Sequence, residues 1–460
     1  MAYSPIENLQ LGKFLQIAFS DGIRFQLSGD VRDWDMVRKV REGDPNGREV
    51  RFLFQNSLGP AAIQSMSPGV AGAFPDSQDI GISENTAQYK EIAATIEFDY
   101  NLWQAAQKSP AKYADFLAKE IESKTIAYKR QISKELYGDG TGVIAQLAAA
   151  SASVTTYGTV AGVIQFQLDT ASSARGHVGW CEIGDILVLK SAAGGASALD
   201  TNLATEPSYW KVLSRNRKAD QVTMQGLDST KTAVVIASII TQPAAGEVFY
   251  RLQNTIPNLT ASIADYGTAS EVMAGLDSLV SNDGRTMHGI TMVGASAGTV
   301  SDAGGAAMDV SLLQELLDTT KVNVGQTAYK YKVMVGAPET HASLIESRET
   351  DRRFVALEDK TRGIKGMFGF AHLNDMLEFY TSEYCQKKRL YVLPEASSGD
   401  KVLEYHSTDF EQVKVNDMAA FNLKPSANGY LRRVSSFMHG RQVLICKHPA
   451  AIGKLVNFTS

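Results

Sequence analysis

The sequence predicts a mixed α+β fold that carries an inserted all-β domain. Three observations support it. The segment EIAATIEFDY alternates apolar and mostly charged residues, which indicates a half-buried strand. The segment 109–137 has the end signals of a long helix, and short β-type runs recur between 151 and 255. With 460 residues, the chain is long enough for more than one hydrophobic core.

Composition excludes several classes of protein. The chain is 44% hydrophobic and 21% charged, as expected for a globular protein and not for a disordered or fibrous one. A net charge of -5 supplies no basic field that would favour tight binding of a polyanion such as DNA or RNA. The cysteines Cys181, Cys385 and Cys446 are odd in number and lack zinc-ligand spacing, which suits a reducing cytoplasm. We therefore expect neither a disulfide framework nor a metal or other cofactor.

Two segments bear on membrane targeting. The N-terminal residues MAYSPIENLQLGKF lack the basic and apolar regions of a signal peptide. Residues 140–168 contain no charged residue, but their serine, threonine and glutamine side chains would be costly in lipid. We expect strand and loop here, and no membrane span.

Residues 1–48 are predicted to form an N-terminal arm. From Asp21 to Arg51, acidic and basic residues are densely mixed around Trp34. Such mixing is typical of a solvated face or of an ion-pairing contact. A surface helix and an arm that contacts another subunit remain equally open.

Residues 49–108 are predicted to form an extended two-stranded loop. The strand REVRFLFQ and the strand EIAATIEFDY are joined by the Gly-, Pro- and Ser-rich segment SMSPGVAGAFPDSQDIG. A two-stranded ribbon cannot bury its apolar face alone, so we expect another subunit to cover it. The predicted inter-subunit contacts are Ile92, Ile96, Phe98, Glu91, Glu97, Asp99 and Trp34.

Residues 109–150 are predicted to contain a long helix that packs along one side only. Ser109 and Pro110 fit its N-terminus and Gly138 its C-terminal end. An apolar stripe at steps of three and four includes Tyr128 and Ile132.

Residues 151–255 are predicted to form an inserted, barrel-like β domain that folds autonomously. Turn residues separate its runs VIQFQL, DILVLKS, YWKVLS, QVTMQGL, TAVVIASII and EVFYRL. Residues 256–400 return to alternating helices and strands, including the strand YKVMVGAP that leads into a helix at Pro338. Residues 401–460 supply the closing strands.

Few residues are candidates for catalysis. The segment GASAG around Ser296 matches the G-x-S-x-G nucleophile pattern, but the TVSDAGGAA that follows is no helix start. The glycines of GDGTG, at 138–142, end a helix instead of opening one, so a helix cap and turn explain them better than a phosphate loop. The seven histidines show no metal-ligand spacing. The sequence therefore predicts no enzyme.

The order of elements resembles that of the tailed-bacteriophage major capsid proteins, the Hong Kong ninety-seven type fold. The resemblance rests on the arm, the two-stranded loop, the helix ending at ISKELYGDGTG, the run SEVMAGLDSLVSNDGRTMHGI, and then YKVMVGAP and RLYVLP. It implies that 49–108 is the extended loop, that 109–150 and 401–460 form the peripheral domain, and that 256–400 forms the axial domain. The insertion at 151–255 has no counterpart in the general family pattern.

The resemblance also implies a function. Proteins of this family assemble as hexamers and pentamers into an icosahedral head that encloses double-stranded DNA, made in the host cytoplasm with a portal and scaffolding protein and in some cases a decoration protein. Some members cross-link a loop lysine to a neighbour. Here Lys90 is the only lysine between 40 and 107 and lies outside the loop tip, so we expect no cross-link.

Two alternatives remain. Encapsulins, the shells of cellular nanocompartments, resemble the same fold and load enzyme cargo instead of DNA. A serine hydrolase that uses Ser296 is an alternative of a different class.

Overall fold

The structure is a computed structural model, and it describes part of the chain. The described residues are 37–41, 49–55, 82–99, 126–171, 174–191, 207–239, 243–251, 272–324, 329–347, 369–372, 375–395, 402–407, 411–412, 422–426 and 429–459. The fold is mixed, with many strands and few helices, as the sequence predicted.

The secondary structure elements are numbered in chain order. The strands are β1 (Arg38–Arg41), β2 (Glu49–Gln55), β3 (Ile82–Gln88), β4 (Lys90–Asp99), β5 (Val143–Tyr157), β6 (Val160–Leu168), β7 (Ile186–Lys190), β8 (Tyr209–Asn216), β9 (Gln221–Leu227), β10 (Ala233–Val234), β11 (Val248–Arg251), β12 (Thr286–Met287), β13 (Ile290–Thr291), β14 (Thr299–Asp302), β15 (Tyr331–Gly336), β16 (Gly369–His372), β17 (Asp375–Thr381), β18 (Arg389–Pro394), β19 (Leu403–Ser407), β20 (Glu411–Gln412), β21 (Asn422–Ser426), β22 (Gly429–Cys446) and β23 (Gly453–Val456). The α-helices are α1, whose described part is 126–136, α2 (Leu276–Leu279), α3 (Val310–Val324) and α4 (Pro338–Ser347).

The long strand β22 organises a six-stranded sheet. Along one edge it pairs with β4, and along the other with β19, β20 and β21, all antiparallel. Strand β1 extends the sheet by pairing parallel to β19. Residues 37–41 of the predicted arm therefore belong to this chain's own sheet, and Val37 is buried in its core. Trp34 lies outside the described residues.

The segment between 143 and 251 forms a β-barrel. Strands β9, β6, β5, β11, β7 and β8 pair in that order, and β8 pairs back to β9, which closes the ring. The rings of Phe166, Trp210 and Phe249 fill the interior, with Phe166 edge-on to the other two at centroid distances of 5.1 and 5.2 Å. The uncharged stretch 140–168 supplies the hairpin of β5 and β6. The barrel begins at Val143, earlier than the expected boundary at 151, because the alanine-rich start of β5 carries little β signal.

A second six-stranded sheet lies in the 256–400 region. Its order is β14, β23, β18, β15, β17, β16, with β15 parallel to β17 and antiparallel to β18. Helix α3 packs on it through Leu313, Leu316 and Leu317. Strand β23, near the C-terminus, lies inside this sheet, so the predicted boundary at 400 does not separate the last strands from it. A strand's sheet depends on its long-range partners, which the local pattern of IGKLVNF does not reveal.

The last turn of α1 is buried all round, which corrects the prediction that this helix packs along one side only. Tyr128, Ile132 and Leu136 are buried as their stripe predicted, but Lys134 and Glu135 are also buried. The segment before α2 passes so close that a Cβ at Gly275 would lie 2.1 Å from the Glu135 carbonyl oxygen. Only glycine fits there, and the helix end is consequently enclosed.

The two-stranded loop pairs differently from the prediction. Strand β2 pairs with β3, not with β4, and β4 joins β22. The apolar side chains of β2, Val50, Phe52 and Phe54, are buried within the chain against β22. This face therefore needs no second subunit, and the physical reason is that β22 extends far enough to underlie it.

Candidate assembly interface

The outer edge of β4 is a long strand edge that has no partner in the described part of the chain. All ten residues of β4 pair with β22, from Lys90 opposite Gln442 to Asp99 opposite Arg433. Among the described strands, none pairs with the other edge of β4. An edge strand presents unpaired backbone N–H and C=O groups, and these can pair with a strand of another chain.

The predicted contact residues lie on the two faces of β4. Ile92, Ile96 and Phe98 share one face, and Glu91, Glu97 and Asp99 share the other. The side chain of Ile92 is half-buried and packs against the main core of its own chain. Of Ile96, Phe98, Glu97 and Asp99 the structure describes the backbone register only, so their contacts with a second subunit stay a prediction.

Glu91 forms an ion pair within the chain. Arg441 lies directly opposite on β22, and its Nε donates to Glu91 Oε1 at 3.1 Å. The Glu91 side chain is still 60% exposed, so the pair contributes little to stability and leaves the carboxylate accessible. Lys90 is buried at 7% exposure. That it forms no cross-link stays a prediction.

The sheet of β2 and β3 offers a second exposed surface. Its outward face carries Leu53, which is 66% exposed, between the charged residues Arg51 and Glu84. Arg51 Nη1 lies 3.6 Å from Glu84 Oε1. Within the described ranges, neither β2 nor β3 has a further strand partner. This face is thus mostly charged and polar, with one exposed apolar side chain, and its strands have unpaired edges among the described residues.

Two groups of charged residues fix the barrel to the rest of the chain. Arg217, in the turn after β8, makes two hydrogen bonds to Glu339 of α4, at 2.6 and 3.0 Å, and a third to the Glu383 carbonyl at 2.7 Å. Lys387 pairs with Asp220 of the same turn at 2.7 Å. The barrel is therefore held in a defined place beside the second sheet.

A buried ion cluster also contacts the barrel region. Asp277 Oδ2 lies 2.7 Å from Arg389, and Asp277 Oδ1 lies 2.5 Å from Lys454. Burial opposes ionisation of Asp277, but the two cations outweigh it and hold its pKa well below the usual range. Arg389 also donates to the Ala174 carbonyl of the barrel region at 2.9 Å. The sequence offered no signal for this cluster, since its members are more than 60 residues apart.

Ser296 lacks the setting of a nucleophile elbow. It lies in a short 3-10 turn, Gly294–Ser296, and the next element is strand β14, not an α-helix. The pattern needs a helix directly after the serine so that the hydroxyl projects from a sharp turn. The geometry gives the hydrolase alternative no support.

The remaining motifs are structural. In GDGTG, Asp139 Oδ1 accepts hydrogen bonds from the backbone N–H and the hydroxyl of Thr141, forming a turn after α1. Cys181, Cys385 and Cys446 are buried free thiols. Across the described residues, no group of three or more His, Cys, Asp or Glu side chains could hold a metal ion, and no helix is long and apolar enough to cross a membrane.

Comparisons with known proteins give distant structural likenesses. No protein-family model and no curated protein matches the chain. The capsid asymmetric unit of cyanophage A-1(L) aligns over 93% of this chain and 93% of its own, with 8% identity and a TM-score of 0.47. The capsid of a native GTA particle aligns over 92% and 89%, with 9% identity and a TM-score of 0.40.

The procapsid of satellite phage P4, which includes a size determination (Sid) protein, aligns over 98% of this chain and 97% of its own, with 10% identity and a TM-score of 0.37. These structures are phage or GTA particle capsids, the class that the sequence resemblance indicated. At such identities and TM-scores they do not by themselves assign a function to this chain.

Proposed function

We propose that this chain is a structural shell subunit, a major capsid protein that assembles through its open β edges. The single observation that carries the proposal is the outer edge of β4, ten residues long and without a partner among the described strands. The element order that resembles the Hong Kong ninety-seven type fold supports the same reading.

A long unpaired strand edge promotes pairing with other chains, which a monomeric protein must prevent. Such proteins shorten their edge strands, place proline or inward charges in them, or cover them. Strand β4 contains no proline. Its acidic residues Glu91, Glu97 and Asp99 share one face, and its single inward charge, Lys90, lies at its first residue. A second copy of the chain that pairs with this edge would supply partners for its backbone N–H and C=O groups.

The proposed shell is icosahedral, built of hexamers and pentamers, and encloses double-stranded DNA. The net charge of -5 suits a wall that holds DNA without binding it tightly, because each phosphate contact would add salt-dependent affinity. The proposed partners are further copies of the chain, a portal and a scaffolding protein, with a decoration protein as a further candidate. Assembly is proposed to occur in the host cytoplasm, and the final location is the virion capsid.

The test separates assembly from folding. We expect Phe98→Asp to keep the circular dichroism of the wild type and to fail to form particles, because it places a charge in the proposed contact, at a cost of several kcal/mol. Thr95→Asp is the matched control, since Thr95 shares the charged face of β4. Particles of normal size from Phe98→Asp, measured by sedimentation velocity, would contradict the proposal.

A further inference from the structure

Glu135, in the last turn of α1, is a buried carboxylate that the proposed function does not use. It is 7% exposed. Its Oε1 accepts a hydrogen bond from Gln131 Nε2 at 2.7 Å, and its Oε2 accepts one from Gln442 Nε2 at 2.6 Å. The backbone N–H of Met273 also donates to it. One side chain therefore joins α1, β22 and the segment before α2.

We call this contact of α1, β22 and the segment before α2 around Glu135 the joint. The barrel contacts the joint through Gln131. Arg251, on β11, donates from Nη1 to Gln131 Oε1 at 2.5 Å. The charged and titratable groups around Glu135 are Arg251, Tyr128 on α1 itself and Tyr405 on β19. The adjacent Lys134 pairs instead with Glu182, at 2.6 Å.

The hydrogen bonds at this joint can reverse without moving the chain. Tyr405 donates its hydroxyl hydrogen to Gln442 Oε1 at 2.9 Å, and Gln442 Nε2 donates to Glu135. A half-turn of the Gln442 amide would present Oε1 to a protonated Glu135 and Nε2 to the Tyr405 oxygen. The carboxyl group can therefore be accommodated in both protonation states.

We propose that Glu135 is a proton-binding switch that sets how tightly α1 is held against β22 near neutral pH. Burial raises the pKa of Glu135 to about 7, although the hydrogen bonds from Gln131, Met273 and Gln442 and the nearby charge of Arg251 oppose the rise. Because the pKa of Glu135 is higher in the folded state than its ordinary value of 4.5, proton binding stabilises the folded state. This stabilisation is complete below about pH 4.5 and is lost as the pH rises through about 7. The joint should be tight in mild acid and looser in mild base.

The consequence for assembly rests on the proposed function, because β22 carries β4. The switch itself does not depend on it and is measured within one chain. With these pKa values, local opening of the joint should increase about tenfold between about pH 6 and pH 8.

Hydrogen exchange of the full-length chain tests the switch. After correction for intrinsic exchange rates, protection of amides 126–136 and 442–446 should fall about tenfold between about pH 6 and pH 8 in the wild type. The fall should vanish in Glu135→Gln and persist in Glu315→Gln, which changes an exposed glutamate on α3. Equal protection at both pH values in the wild type, or an unchanged fall in Glu135→Gln, would overturn the proposal.

A second variant distinguishes a switch from a merely structural contact and decides the matter if Glu135→Gln does not fold. Gln442→Met removes a donor that favours the ionised carboxylate, so the midpoint of the pH dependence should move upward. Reduced protection at every pH with an unmoved midpoint would overturn the switch. A wild type that shows the pH dependence but forms no particles would count against the proposed function alone.

Discussion

At the scale of single residues, the most informative position is Phe52, which lies in β2 and is 6% exposed. Its ring meets that of His288 edge-on at a centroid distance of 6.2 Å and belongs to the cluster with Val443 and Ile445. We expect Phe52→Ala to lower the free energy of unfolding by about 3–5 kcal/mol. Leu53→Ala, at an exposed neighbouring position, should change it by less than about 0.5 kcal/mol. Urea denaturation of both variants measures the difference, and equal effects would show that the β2 face is not buried in the chain.

Asp277 yields a second prediction at this scale. Asp277→Asn leaves Arg389 and Lys454 buried beside a neutral side chain, so we expect a loss of about 3–5 kcal/mol in the free energy of unfolding. Because the folded-state pKa of Asp277 is lowered, its contribution is present above the ordinary value of 3.8 and is lost only as pH falls through the folded value.

The difference between wild type and Asp277→Asn, measured by denaturation at several pH values, should therefore be constant from about pH 5 to pH 8. It should shrink in stronger acid. A difference that falls between pH 8 and pH 5 would show that the folded-state pKa of Asp277 is not depressed.

At the scale of elements, the sequence predicted those with strong local patterns. The strand of YKVMVGAP and the helix at Pro338 are β15 and α4. Each of the six β-type runs contains a strand between β6 and β11. Here hydrophobic periodicity and turn residues agree with the tertiary structure.

The missed elements lack such patterns. Strand β3, with the sequence ISENTAQ, has mostly polar residues, and no strand was predicted there. The correct partners of β2 and β4 were therefore not predicted. Glu135 gave no signal either, because its partner Gln442 lies 307 residues away and pairing at that distance leaves no local pattern.

The attachment of the barrel leads to a prediction at this scale. Arg217→Ala should remove the paired hydrogen bonds to Glu339 and loosen the contact by about 1 kcal/mol, because both side chains are partly exposed. Hydrogen exchange of amides 383–388 should then become about fivefold faster. Lys218→Ala, at the exposed next residue, is the control. Unchanged exchange in Arg217→Ala would show that apolar packing alone holds the barrel.

The autonomy of the barrel stays a prediction with revised limits. Its strands run from Val143 to Arg251, and its core is continuous with that of α1 and the second sheet. A fragment covering 151–255 would omit the first half of β5. We expect a fragment that starts at 143 to show dispersed amide shifts and one that starts at 151 to fold less well, because β11 pairs with residues 143–146 of β5.

At the scale of the whole molecule, the proposed shell subunit folds and assembles in separate steps. Its own residues bury the apolar face of β2, close the barrel and enclose the end of α1. Among the described residues, the outer edge of β4 has no strand partner, and the outward face of β2 and β3 is exposed. The nucleic acid content of purified particles would distinguish a DNA-filled head from a nanocompartment loaded with protein.

Electron microscopy of the purified full-length wild-type chain, combined with sedimentation velocity, tests the central claim most directly. We predict closed shells of uniform diameter, or their hexamers and pentamers, at micromolar concentration. A chain that remains a monodisperse monomer across the accessible range of concentration and salt would contradict the proposed shell function.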